Sequence, residues 1–238
     1  MIKKIIFTAA IALTGMSAVA QTKVFNHLGF DLGVGTNGIS VEAATPITDW
    51  VTMRAGVSIM PGIKFSADVD ADYEIAGQTR STTVDLDGNL GRVQGQVIFN
   101  VYPAPKVPFY VALGGYFGGS KLVKIKGHSA DLEGALNSGV IIGDQVLPVD
   151  AHGNVKGGIK VKGFRPYVGI GWGRAIPKKL VNFNIDLGVQ IHGTPKLYTD
   201  NGEISPSLFD DDDNTFQKIM DKVKVYPTLT FRIGFRAF

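Results

Sequence analysis

The chain has 238 residues, with 24 Lys+Arg, 21 Asp+Glu and no Cys. The missing thiols exclude disulfides and thiolate metal sites. Once Lys3 and Lys4 leave with an N-terminal leader, the net charge falls from +3 to 22 − 21 = +1, so nucleic acid is not implied.

Residues 1–20 read as a secretory signal peptide. Lys3 and Lys4 precede an apolar run from Ile5 to Leu13, and Ser17-Ala18-Val19-Ala20 closes the segment before Gln21. Thr8, Thr14, Gly15 and Ser17 interrupt a run already shorter than the roughly 20 residues a spanning helix needs. Residues 21–238 are expected to form one barrel domain. They hold no second long apolar stretch, yet the whole chain is 45% hydrophobic with 30 Gly. Alternating strands with lipid on one side reconcile these facts.

Eight segments alternate with period two. Their apolar sets run Leu28/Phe30/Leu32/Val34, Ile39/Val41/Ala43, Val51/Met53/Ala55/Val57/Ile59 and Val93/Val97/Phe99/Val101. They continue as Phe109/Val111/Leu113/Phe117, Phe164/Val168/Ile170/Trp172, Val181/Phe183/Ile185/Leu187/Val189/Ile191 and Leu229/Phe231/Ile233/Phe235. Tight turns follow the second, fourth and sixth, at Pro46–Asp49, Pro103–Pro108 and Ile176–Lys179. Long connections follow the third, fifth and seventh, over 61–91, 119–162 and 193–224. A soluble β-sandwich also alternates, but gives no reason for this short–long rhythm. The pattern predicts an all-β, eight-stranded antiparallel transmembrane barrel, with short periplasmic turns and long extracellular loops. Lys121–Lys126 and Ile159–Lys162 keep alternating, which predicts a hairpin projecting past the membrane. Pro166, within the sixth segment, predicts a bulge or kink.

With the apolar sets toward lipid, the alternate positions face the lumen. Its charged members are Asp31, Glu42, Arg54, Arg92, Arg165, Asp186, Arg232 and Arg236. An eight-stranded lumen is filled by side chains, so these charges are expected to pair. Counting from the Pro46–Asp49 turn sets Glu42 opposite Arg54, and Asp31 and Asp186 flank the strand that carries Arg232 and Arg236.

Six lysines, Lys121, Lys124, Lys126, Lys156, Lys160 and Lys162, cluster on the expected hairpin and suit contact with lipopolysaccharide phosphates. Asp68/Asp70/Asp72 and Asp85/Asp87 approach calcium-loop spacing but lack its glycine in place. The Asp210–Asp213 run reads as solvated. His192, near Ser58 and Ser120, allows a Ser–His hydrolase that no motif supports. No catalytic residue, metal or cofactor is assigned.

The stretch Asn37-Gly-Ile-Ser-Val-Glu-Ala-Ala-Thr-Pro46, then Trp50-Val-Thr-Met-Arg-Ala-Gly56, together with the aromatic end at Phe238, resembles the small OmpA/OmpX-like outer-membrane β-barrels of Gram-negative bacteria. The resemblance implies residence in the outer membrane, contact with its lipid and lipopolysaccharide, and assembly by the outer-membrane insertion machinery. It departs at Phe238, one residue out of phase with Phe231, Ile233 and Phe235. The chain stops at the barrel, so no peptidoglycan-binding domain is expected. The expected role is structural or surface interaction through the long loops, without enzyme activity. The alternatives are a narrow channel or small-molecule transporter, and a lipid-modifying enzyme.

Overall fold

The computed structural model describes residues 27–75, 78–104, 106–133, 136–142, 145–177, 180–199, 202–203 and 222–237. The expected leader, Asp210–Asp213 and Phe238 lie outside them. In chain order the strands are β1 (Gly29–Gly35), β2 (Gly38–Pro46), β3 (Val51–Met60), β4 (Lys64–Ile75), β5 (Gln78–Asn89), β6 (Arg92–Val101), β7 (Phe109–Phe117) and β8 (Lys121–Glu133). They continue as β9 (Leu136–Ile142), β10 (Gln145–Pro148), β11 (His152–Lys160), β12 (Phe164–Trp172), β13 (Val181–Ile191), β14 (Lys196–Thr199), β15 (Gly202–Glu203) and β16 (Val225–Arg236).

The eight alternating segments are β1, β2, β3, β6, β7, β12, β13 and β16, and they close into an antiparallel barrel in the order β1-β16-β13-β12-β7-β6-β3-β2. Each strand alternates in exposure, but inside out: Leu32 is 51% exposed while Asp31 is fully buried, and Phe231 is 52% exposed beside Arg232 at 1%. A water-facing surface would not carry Phe30, Leu32, Val34, Ile39, Val41 and their equivalents on every strand as one apolar belt. Lipid tails satisfy that belt, and closure leaves no unpaired edge within it.

The long connections carry strands of their own. Over 61–91 and 119–162 the described residues are mostly strand, and with β14 and β15 of the third connection they join in a second sheet ordered β10-β9-β4-β5-β8-β11-β14-β15. The reason is continuity of the wall. Met60 pairs with Arg92 at the top of the β3–β6 ladder, the Leu90 amide donates to the Ile63 carbonyl, and Lys64 pairs with Asn89 to begin β4–β5. Phe117 pairs with Phe164, the Gly118 amide donates to Gly163, the Val161 amide donates to Ser120, and Lys121 pairs with Lys160 to continue as β8–β11. Gly118 and Gly119, at φ of 73° and 55°, make the joint between β7 and β8, which side chains with a Cβ seldom tolerate. The order β4-β5-β8-β11-β14 therefore repeats the barrel order β3-β6-β7-β12-β13 beneath it. The expected hairpin of Lys121–Lys126 with Ile159 is present within this sheet.

Beyond the barrel the inward face changes from polar to apolar. Val84 and Leu86 from β5, Leu132 from β8 and Val155 from β11 form a buried cluster, with Val69, Ile125 and Val149 against it. A bridge between Val149 and Val155 brings the chain after β10 to the upper part of β11, whose lower part pairs with β14. The sheet thus curls around its own small core.

Pro166 sits in register opposite Gly115 without a bulge. The ladder between β12 and β13 ends at Tyr167–Gln190, one residue short of it, where a proline nitrogen has no hydrogen to donate.

Candidate functional site

The lumen is closed by two tiers of polar side chains with tyrosines between them. The lower tier centres on Asp186 of β13. Its Oδ1 accepts from Arg54 Nη2 at 3.2 Å and from the Tyr110 hydroxyl at 2.7 Å, and its Oδ2 accepts from Arg232 Nε at 2.7 Å. Arg54 also donates to Glu42 Oε2 at 2.9 Å and to Asn100 Oδ1 at 3.1 Å. Arg232 donates to the Tyr110 hydroxyl at 2.8 Å and lies 3.6 Å from Glu42 and 4.0 Å from Asp31. Asn184 donates to the other Asp31 oxygen at 3.3 Å. Seven of the eight wall strands contribute, with β12 alone absent. Charges this buried persist only when paired, and guanidinium forks on carboxylates provide the pairing.

Glu42 and Arg54 pair as expected, but diagonally. The register sets Glu42 opposite Gly56 and Arg54 opposite Ala44. The turn runs one residue later than Pro46–Asp49, through Ile47–Trp50, with the Ile47 amide donating to Val51. A long Arg side chain spans a diagonal neighbour easily.

The upper tier centres on Arg165. Its Nε donates to Gln190 at 3.0 Å, Nη2 to Gln94 at 2.8 Å and Nη1 to the Lys162 carbonyl at 3.0 Å, while Gln190 donates to Asn37 at 2.9 Å. Tyr116 and Tyr167 pack edge to face between the tiers, with centroids 5.5 Å apart. Around them remains a cavity of about 10 Å³, lined by Asn37, Ser58, Gln96 and Tyr167 among others. That is room for about one water.

Two of the expected charges sit apart from this plug. Arg92 stacks over the Tyr226 ring at 5.2 Å, near the loop end. Arg236 does not join Asp31: its Nη2 meets His27 Nδ1 at 3.2 Å, four residues farther along β16 than Arg232. There it lines a 420 Å³ vestibule with His27, Asp49, Tyr102 and Arg174 at the turn end. Tyr110 and Asn100 stand at the alternate, lumen-facing positions of β7 and β6 but are uncharged, so the sequence pattern leaves them out of the charge cluster. Tyr110 meets Asp186 and Arg232 across the lumen on strands that β7 does not pair with, and Asn100 meets Arg54 diagonally on the adjacent β3, a contact that follows only once the register between β3 and β6 is known.

No family model and no curated protein matches the chain. Among solved structures it is similar to CarO2 of Acinetobacter baumannii, at 18% identity and a TM-score of 0.49, covering 90% of this chain and 100% of that one. It is also similar to CarO of the same organism, at 17% identity and a TM-score of 0.45, covering 87% and 96%. By its own closure and inside-out exposure, this chain has the architecture of a small outer-membrane β-barrel protein.

The six expected lysines fall at the loop end. Register sets Lys126 opposite Lys156 and Lys121 opposite Lys160. Lys124 donates to the Gly91 carbonyl at 2.8 Å, and Lys121 lies 4.5 Å from the Tyr198 ring centre. Lys162 is exposed just before β12. Asp68, Asp70, Asp85 and Asp87 stand on paired strands rather than in a loop: Asp70 accepts from Thr83 and Asp87 accepts from Ser66. Among the described residues no cluster of three metal-ligating side chains occurs. The buried Ser58 hydroxyl has no hydrogen-bond partner among the described residues, and His192 Nδ1 meets the Gly193 carbonyl at 2.7 Å.

Farther out, Asp150 caps the turn before β11. Its carboxylate accepts from the amides of Asn154 and His152, both at 2.9 Å, and from the Asn154 side chain. The backbone hydrogen bond from Asn154 holds this carboxyl below its ordinary value.

Proposed function

We propose that the protein is a non-enzymatic outer-membrane barrel of Gram-negative bacteria whose wall is a fixed anchor and whose loop-end sheet works at the cell surface. The carrying observation is the contrast between the two halves. Between a lower tier of paired charges and an upper tier of hydrogen-bonded polar side chains the lumen keeps a cavity of about 10 Å³, whereas five wall strands continue outward into a folded sheet. A plugged lumen supports anchorage over the narrow-channel reading, and a sheet with its own apolar core supports a shaped recognition surface over flexible loops. In this reading residues 1–20 are removed on export, the turns face the periplasm, and the insertion machinery assembles the barrel beside lipopolysaccharide.

The test is conductance of the detergent-folded chain in a planar bilayer, alongside a variant with residues 62–90 replaced by a short turn. The reading requires a silent wild type, a variant that keeps its heat-dependent gel shift, and loss of surface binding by cells that express the variant. Steady openings abolished or altered by Glu42→Gln and Arg54→Gln would instead establish a channel.

A further inference from the structure

We infer that the barrel wall carries a site for the phosphate of a membrane lipid, in a basic groove where β4, β5 and β8 rise from the apolar belt. Register aligns the side chains of these strands in rows. Lys64, Asn89 and Lys124 form the lowest row, and Ser66, Asp87, Lys126 and Lys156 the next. Above them come Asp68, Asp85, His128 and Asn154. Val84, Leu86 and Ile125 point into the curled core, so the alternate residues of these rows face outward. Cations therefore lie nearest the membrane, and acids farther out.

The groove is open, about 570 Å³, and its lining includes Lys64, Asp87, Lys124, Lys126 and Val93. Arg92 also borders the groove but stacks on Tyr226, and the three lysines face one carboxylate, which the Ser66 hydroxyl engages at 2.8 Å. The lower margin is Val93, 59% exposed and level with Ile59 on the neighbouring strand. Lys124 bends down toward this margin, since its ammonium reaches the carbonyl of Gly91 rather than lying beside its register partner Asn89. A soluble anion would need the cations alone. An apolar margin beneath the cations fits a phosphate that arrives on an acyl-chain anchor, with the chains lying along the belt. The inference rests on the membrane placement proposed above but not on the surface role.

Native mass spectrometry of the detergent-folded full chain, offered phosphatidic acid and phosphatidylcholine together, tests it. One phosphatidic acid is retained preferentially, and retention falls at least about tenfold in Lys64→Gln/Lys124→Gln/Lys126→Gln, given about 1 kcal/mol for each basic residue at a lipid surface. The charge-matched variant Lys106→Gln/Lys222→Gln/Lys224→Gln retains the lipid as wild type does. Equal loss in both variants would mean bulk charge and would overturn the site. Displacement of the lipid by excess inorganic phosphate would overturn its lipid character. Should the triple variant fail to show the heat-dependent gel shift of a folded barrel, Lys124→Gln alone lowers retention about fivefold on the same scale, and unchanged retention would overturn the site. Because binding is read in detergent, it stands or falls separately from any loss of surface binding in cells.

Discussion

Arg54 and Asp186 are 132 positions apart in the chain and 3.2 Å apart across the lumen, and each is also bound to a further charged partner. Arg54→Met removes the fork that holds Glu42, Asn100 and Asp186 together and leaves carboxylates uncompensated. Breaking a buried pair in this way costs about 3–5 kcal/mol. Urea unfolding of the detergent-folded variant should show a midpoint shift of that size. Arg54→Lys should recover little, because a single ammonium cannot reproduce three divergent donors. A wild-type midpoint for Arg54→Met would show that the cluster contributes no net stability.

The tyrosines between the tiers need glycines opposite them. A methyl group at position 188 would lie 2.5–2.7 Å from the Tyr167 ring and hydroxyl, whereas one at position 95 would find nothing nearer than 4.0 Å. Gly188→Ala is expected to displace Tyr167 and destabilise the barrel by about 1–3 kcal/mol, the usual scale of overpacking. Gly95→Ala should be near neutral. Matched denaturation curves, with tyrosine fluorescence as a second readout, distinguish the two. Equal behaviour would mean that Tyr167 has free space elsewhere.

All eight wall strands were legible because each carries a period-two contrast between lipid and lumen, unbroken from Val181 to Ile191 and interrupted once each at Gly95, Gly115 and Pro166 on β6, β7 and β12. The loop-end strands were hidden for a physical reason. On β4, Phe65, Ala67 and Val69 alternate with Ser66, Asp68 and Asp70, but the apolar members are mostly small and the acids resemble a solvated loop. Above the membrane the demand for an apolar outer face ends, so the signal weakens while the ladder continues. The ion cluster was legible as a set of residues and illegible as a geometry. Alternation assigns Asp31, Glu42, Arg54, Asp186 and Arg232 to one interior, but only closure shows Tyr110 joining them and Arg236 meeting His27 instead. The Glu42–Arg54 diagonal shows how one residue of turn placement moves a register.

The loop-end sheet should yield separately from the wall. Leu132 is fully buried with Val84, Leu86 and Val155, far in sequence from any lumen residue of β7 or β12. Leu132→Ala is expected to destabilise this core by about 2–5 kcal/mol, as for other large-to-small core changes. Limited proteolysis should then cut between 61 and 162 while the barrel keeps its heat-dependent gel shift. Simultaneous loss of both would show that wall and sheet form one cooperative unit.

Acid should loosen one turn of that sheet in a defined direction. Hydrogen bonding from the Asn154 and His152 amides lowers the Asp150 carboxyl from its ordinary 3.8. A group depressed on folding contributes stability that is present above the unfolded value and lost as the pH falls through the folded one. The Asn154 amide should therefore stay protected from hydrogen exchange at pH values above 3.8 and lose protection below it, in a step that Asp150→Asn weakens or removes. NMR titration of that amide in detergent micelles measures the step directly. Protection independent of pH in the wild type would show that the turn is held by the Val149–Val155 bridge and not by the Asp150 cap.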